Sequence, residues 1–237
     1  MKLKQITLIY FVILVLELVG DFVFANYDLP YMVWLFKPLL MIVLGYWYYN
    51  ERKGALLKFD KFILAALFFS WLGDVFLMPK LRLGELQLLF GLVPFLIAHL
   101  LYIFAFAKKG KGKSILLRRP HLIIPFLFLE FGLVSMLMNE AHPVFLELKI
   151  PIIIYATIIM IMVLTTINRF ERVSQESFRW VTLGALLFMF SDTCIALSRF
   201  TSFFEGKAYL ASFVIMTLYG TGQYLIVKGA LLQNENT

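Results

Sequence analysis

Eight stretches of the chain run for about 20 residues each with few polar interruptions, and nothing else limits the fold so severely. They fall near residues 6–26, 31–50, 61–79, 84–107, 121–138, 144–167, 180–199 and 208–230. At a helical rise of about 1.5 Å per residue, each is close to the length needed to cross the roughly 30 Å apolar core of a bilayer. The 237 residues are 61% hydrophobic and 16% charged, against about half and a quarter in a soluble domain. A water-soluble fold of this size has no interior large enough for 25 Phe, and so many aromatic residues also exclude disorder. No segment alternates apolar and polar as a barrel strand does. The expected fold is all-α: a polytopic bundle of eight transmembrane helices forming one integral membrane domain over residues 1–237.

Orientation follows from the basic residues of the connections. One side holds Lys2, Lys4, Arg52, Lys53, Lys58, Lys61, Lys108, Lys109, Lys111, Lys113, Arg118, Arg119, Arg169, Arg172, Arg179 and Lys228. The other holds Lys80, Arg82, Lys149, Arg199 and Lys207. The asymmetry places both termini in the cytoplasm. It also accounts for the net charge of +7 as a topology signal, so no nucleic-acid partner is expected. Val23-Phe24-Ala25 resembles a signal-peptide cleavage site, but Glu17 and Asp21 within a longer apolar segment argue for a retained helix. Cys194 is the single cysteine, which excludes a disulfide scaffold and a cysteine-ligated metal.

The two halves resemble each other. Lys37-Pro38 opens the second span much as Lys149-Ile150-Pro151 opens the sixth. Phe69-Ser70-Trp71-Leu72-Gly73-Asp74 in the third span matches Phe188-Met189-Phe190-Ser191-Asp192 in the seventh. Four helices per half give a parallel 4+4 repeat, with Asp74 and Asp192 as related positions facing a shared interior.

Ionisable groups within spans are costly and are the default functional candidates. Here they are Glu17, Asp21, Lys37, Asp74, His99, Glu130 and Asp192. Counting residues from the span ends puts Asp21, Lys37, Asp74 and Asp192 about 8–11 Å below the outer surface, and His99 and Gln223 about 22 Å below it. Five carboxyls share an apolar layer with one lysine, so they cannot all be charged cheaply. Two carboxyls in opposite protonation states are what an acid–base hydrolase needs. Helical spacing adds companions: Ser70 four residues before Asp74 and within reach of its carboxyl, His99 with Tyr102, and Tyr219 with Gln223. For Glu130, snorkelling or helix packing is the plainer expectation. His121 and His142 fall at opposite membrane faces, so a three-histidine zinc site is not expected. No Gly-x-Ser-x-Gly, phosphate loop or His-Glu-x-x-His occurs, and Gly220-Thr221-Gly222 reads as a helix-packing element.

Several segments, in order, carry a resemblance. These are Lys37-Pro38-Leu39, the run Phe69 to Met78, Gly91 through Ala98-His99 and Tyr102, Gly184 to Phe188 with Ser191-Asp192, and Tyr219 with Gln223-Tyr224-Leu225-Ile226. Together they look like the YhhN membrane family, over about residues 30 to 230. The resemblance implies an eight-helix membrane hydrolase, since the family's animal members are lysoplasmalogenases. These cleave the vinyl-ether bond of a lysoplasmalogen to a fatty aldehyde and a glycerophospho-alcohol. It maps the family's acidic positions onto Asp74 and Asp192, and its lysine and histidine onto Lys37 and His99. A lysophospholipid in the bilayer is the implied partner, no cofactor is required, and a bacterial inner membrane is the expected location.

The residues suit that chemistry. Vinyl-ether cleavage begins by protonating the double bond, and water then adds to the oxocarbenium ion. It needs an acid in a dry pocket and a carboxylate to stabilise the cation and activate water. Asp74 and Asp192 are the expected acid and base, in either order. Lys37, Ser70, His99, Tyr102, Tyr219 and Gln223 are expected to bind substrate or position water. A proton- or cation-coupled transporter is the rival reading, because repeats around an acidic layer also suit a carrier. A lipid-binding scaffold is a third.

Overall fold

A computed structural model of the chain describes residues 3–53, 56–78, 86–107, 114–140 and 143–233. Lys2, Lys80, Arg82, Lys108, Lys109, Lys111, Lys113 and His142 lie outside the described residues. The helices in order are α1 (Leu3–Tyr27), α2 (Tyr31–Arg52), α3 (Lys58–Phe76), α4 (Leu86–Phe106), α5 (Ile115–Arg118), α6 (Ile124–Glu140), α7 (Pro143–Ile167), α8 (Gln175–Phe200) and α9 (Ala208–Leu231). Short 3₁₀ turns occupy Pro120–Ile123 and Ser202–Phe204, and no strand occurs among the described residues. The fifth expected span therefore opens as a 3₁₀ turn, where Pro120 contributes no backbone donor, and becomes α-helical at Ile124.

Seven of these helices are long and apolar enough to cross a membrane. The remaining long helix, α3, has 19 residues but carries Lys58, Asp60, Lys61 and Asp74, so every 18-residue window of it holds at least three charges. The outward faces are apolar, with Leu8, Phe68, Phe104, Phe128 and Phe131 all exposed. In water such a surface drives association, whereas in a bilayer it is solvated by acyl chains. The chain is a multi-pass membrane protein.

The α8/α9 and α3/α4 pairs pack most extensively, and each pair brings a helix carrying a candidate aspartate against its neighbour. Close approach explains the first pair. A Cβ on Gly184 would lie 2.6 Å from the Gly222 carbonyl oxygen, and one on Gly222 would lie 2.8 Å from that of Gly184. Only glycine allows these two backbones to touch, which is how small residues promote helix packing in lipid. The expected packing role of the Gly220–Gly222 segment is thus realised at Gly222. α1 joins the bundle against α2 and α9, and its Tyr10 hydroxyl donates to the Gly220 carbonyl at 2.7 Å.

At the opposite end from the α8/α9 connection, Arg169 closes the bundle between α7 and α8. It is buried, lies 4.9 Å above the Phe106 ring, and donates to Ser177 Oγ at 2.9 Å and to Gln233 Oε1 at 2.7 Å. Burial pushes its guanidinium down to about 10, which leaves it charged at neutral pH.

Gly222→Ala forces a methyl group against backbone that cannot turn aside. It is expected to destabilise the fold by about 1–3 kcal/mol, read as a lower Tm in detergent. Gly45 has open space around its Cβ position within α2, so Gly45→Ala should leave Tm unchanged or raise it.

Candidate functional site

The polar side chains of the interior form three hydrogen-bonded groups, each joining separate helices. The first is centred on Asp192 of α8. Its Oδ2 accepts from the Tyr155 hydroxyl of α7 at 2.5 Å and lies 3.2 Å from His99 Nε2 of α4. Tyr155 and His99 are themselves 3.0 Å apart. His99 is fully buried, its ring 4.7 Å from that of Phe188, and its Nδ1 has no hydrogen-bond partner among the described residues.

The second group is Asp74 of α3, whose Oδ2 accepts from the Tyr219 hydroxyl of α9 at 2.7 Å. In the third, the Tyr102 hydroxyl donates to Gln223 Oε1 at 2.7 Å, and Gln223 Nε2 donates to Ser70 Oγ at 3.0 Å. All three of these side chains are fully buried. The expected hydrogen bond between Ser70 and Asp74 does not form among the described residues. Although one turn of helix puts both on one face, Gln223 engages the Ser70 hydroxyl and Tyr219 the carboxylate.

Estimated depth separated His99 from Asp192 by more than 10 Å, yet the two touch. The reason is the lean of side chains along a helix. Every Cα–Cβ bond tilts toward its own helix N-terminus, and α4 and α8 run in opposite directions. The two side chains therefore lean toward each other. The same holds for Asp74 on α3 and Tyr219 on α9. In the duplication reading, each aspartate is met by a ring from the fourth helix of the other half.

The aspartates do not share one hollow. Phe95 and Phe188 stand between their groups, in edge contact with each other and each with Tyr219, at ring separations of 5.3–6.1 Å. Access also differs. Asp74 is 2% exposed, whereas the Asp192 side chain keeps 9% and lines a narrow apolar slot of about 40 Å³ with Tyr155, Phe95, Leu77, Leu88 and Ile195.

Lys37 is half-buried on α2 and makes no hydrogen bond or ion pair among the described residues, although its charge acts on Glu17, Asp21 and Asp74. Asp21 accepts from the Ser212 hydroxyl at 2.5 Å. Glu17 is fully buried, with neither carboxyl oxygen hydrogen-bonded among the described residues. Glu130 accepts from Thr157 at 2.5 Å and so ties α6 to α7. Among the described residues, no three His, Cys, Asp or Glu side chains converge as a metal site.

Tyr155 is absent from the sequence-based set. The signal was present: its hydroxyl follows Ile152-Ile153-Ile154 in an apolar helix, and a buried tyrosine hydroxyl usually finds a partner. Interhelical hydrogen bonds of this kind average about 0.6 kcal/mol in membrane helices. A double-mutant cycle of Tyr102→Phe and Gln223→Leu, followed by unfolding in mixed micelles, should give a favourable coupling of about 0.5–1.5 kcal/mol. Tyr46 is exposed, and Tyr46→Phe with Gln223→Leu should be additive.

Neither a curated protein nor a solved structure matches the chain. The model of the YhhN family matches residues 32–230, which include α2 almost entirely, α9 to its last turn and every residue of the three hydrogen-bonded groups. By that match, the chain belongs to the YhhN family.

Proposed function

We propose that the protein is a membrane-embedded hydrolase that cleaves the vinyl-ether bond of a lysoplasmalogen, releasing a fatty aldehyde and a glycerophospho-alcohol. Family membership is consistent with this activity. The observation that carries the reading is Asp192 at the wall of an apolar slot, held there by Tyr155 and His99. In this reading α3 also spans the bilayer, giving eight crossings with both termini cytoplasmic, and a bacterial inner membrane is the proposed location.

At about 40 Å³ the slot takes only the one or two carbons at the head of a chain, which brings its first linkage to Asp192. Oδ2 is occupied by Tyr155 and His99, while Oδ1 makes no hydrogen bond among the described residues. In the proposed sequence, the protonated carboxyl gives its proton to the outer carbon of the double bond. The ether oxygen then shares the positive charge of an oxocarbenium ion, and the new carboxylate stabilises it. Water adds to the cationic carbon and returns a proton to the carboxylate. The hemiacetal collapses to aldehyde and alcohol, one water having been consumed. Apolar walls exclude competing water until the cation forms. Asp74 lies behind the aromatic wall and acts through charge and through its hold on Tyr219. Lys37, Ser70, Tyr102 and Gln223 support the substrate or the pocket.

Purified protein given a lysoplasmalogen in detergent is expected to release aldehyde. Asp192→Asn should lower kcat at least about 100-fold, and Tyr155→Phe by a smaller factor. Asp74→Asn should also reduce turnover while leaving KM nearly unchanged, because Asp74 does not face the slot. Glu130→Gln lies outside this machinery and should retain activity. Full turnover by Asp192→Asn would overturn the mechanism. Solute uptake by proteoliposomes without aldehyde release would favour a transporter.

A further inference from the structure

A cleft of about 350 Å³ lies beside the slot and shares Leu77, Leu88 and Ile195 with it. A further cavity of about 390 Å³ shares Lys37, Arg199 and Ser212 with that cleft and adds Asp21 and Tyr209. Volumes of this order suit small ligands or the polar part of a lipid. Among the described residues, three charged side chains line the combined space: Lys37 of α2, Arg199 of α8 and Asp21 of α1. Asp21 is already engaged by Ser212, and its carboxyl offsets one of the two cations.

Neither Lys37 nor Arg199 forms a hydrogen bond or ion pair among the described residues, although they come from different helices and face one cleft. An unpaired ammonium at membrane depth is costly, and such groups mark ligand sites by default. A guanidinium offers a planar fork of donors that fits two oxygens of a phosphate, while an ammonium acts on it as a point charge. Among the described residues, the two cations and one carboxylate of the lining carry one net positive charge.

We infer that this cleft is a subsite for a singly charged phosphodiester, held by Arg199 and Lys37, whose single apolar chain starts at the slot with its first linkage toward Asp192. The inference deepens the function proposed above and rests on reading the slot as a chain site. It assigns Arg199 a binding role. It also gives the substrate an orientation, because the phosphodiester fixes which atoms of the chain reach the slot.

Binding without turnover tests this. The probes are a saturated alkyl-ether lysophospholipid with a phosphodiester headgroup, which has no double bond to protonate, and the matching monoalkylglycerol without phosphate. Wild-type protein in detergent is expected to bind the phosphodiester lipid at least about tenfold more tightly. Arg199→Gln should remove most of that preference, and Arg199→Lys should keep part of it. Arg199 is exposed, so the fold should tolerate both changes even where Lys37→Met does not. The chainless glycerophosphodiester should compete only weakly. Competition equal to that of the lipid would make the ligand a soluble phosphate and overturn the link to the slot. Equal affinity for the charged and neutral lipids, or a preference that survives Arg199→Gln, would overturn the subsite. Phosphodiester-dependent binding without aldehyde release from lysoplasmalogen would leave the subsite standing and remove the hydrolase reading instead.

Discussion

A polar side chain inside a membrane bundle must find its partner on another helix, because lipid offers none, and this requirement organises the interior. Asp192 is bound by Tyr155 and His99, which joins α4, α7 and α8. Asp74 and Tyr219 join α3 to α9, and the run Ser70, Gln223 and Tyr102 adds α4 to that pair. Each bond is individually modest, yet a register error of one residue would strand several buried groups at a cost of several kcal/mol each. Apolar packing alone tolerates sliding, whereas these bonds select one register. The Gly184–Gly222 contact adds the steric half of the same specification, since only backbones that close bring α8 and α9 near enough.

The two aspartates share a residue type and a place in the repeat-like pattern but not an environment. One faces an apolar slot with a histidine and a tyrosine on the same oxygen. The other is sealed behind Phe95 and Phe188 with a single tyrosine donor. Asymmetry of this kind is what a single reacting carboxyl with an electrostatic companion requires. The expectation of unequal proton affinities placed both carboxyls in one shared interior, whereas here they occupy separate groups. Accessibility, more than residue type, assigns Asp192 the contact with substrate in the proposed mechanism.

Hydrophobic run length made the all-helical membrane fold legible, because of the two structures that satisfy backbone polar groups across an apolar layer, helix and closed barrel, only the helix uses continuous apolar runs of about 20 residues. α3 shows how far that signal extends: its length reads as a span, while Lys58, Asp60 and Lys61 at its start and Asp74 near its end raise its charge. Most of the interior polar residues could be singled out because charge and amide groups in apolar runs are expensive. Their pairing could not. Depth counted along the chain ignores the lean of side chains toward each helix N-terminus, so His99 and Asp192 looked too distant to meet. Tyr155 went unnoticed because a tyrosine among isoleucines carries little charge signal, although its hydroxyl completes the Asp192 group. Arg199, at the very end of its helix, read as an orientation marker, and only the cleft shows which way it faces.

The central claim is that a carboxyl in the slot delivers a proton to carbon. Hydrolysis of a lysoplasmalogen in deuterated water, with the aldehyde analysed by mass spectrometry at early times, addresses it most directly. The account predicts one deuterium on the carbon next to the aldehyde group, and a slower rate in deuterated than in ordinary water. An aldehyde released by the wild-type protein with no deuterium at that carbon would contradict it, because the bond would then have broken without protonation of the double bond.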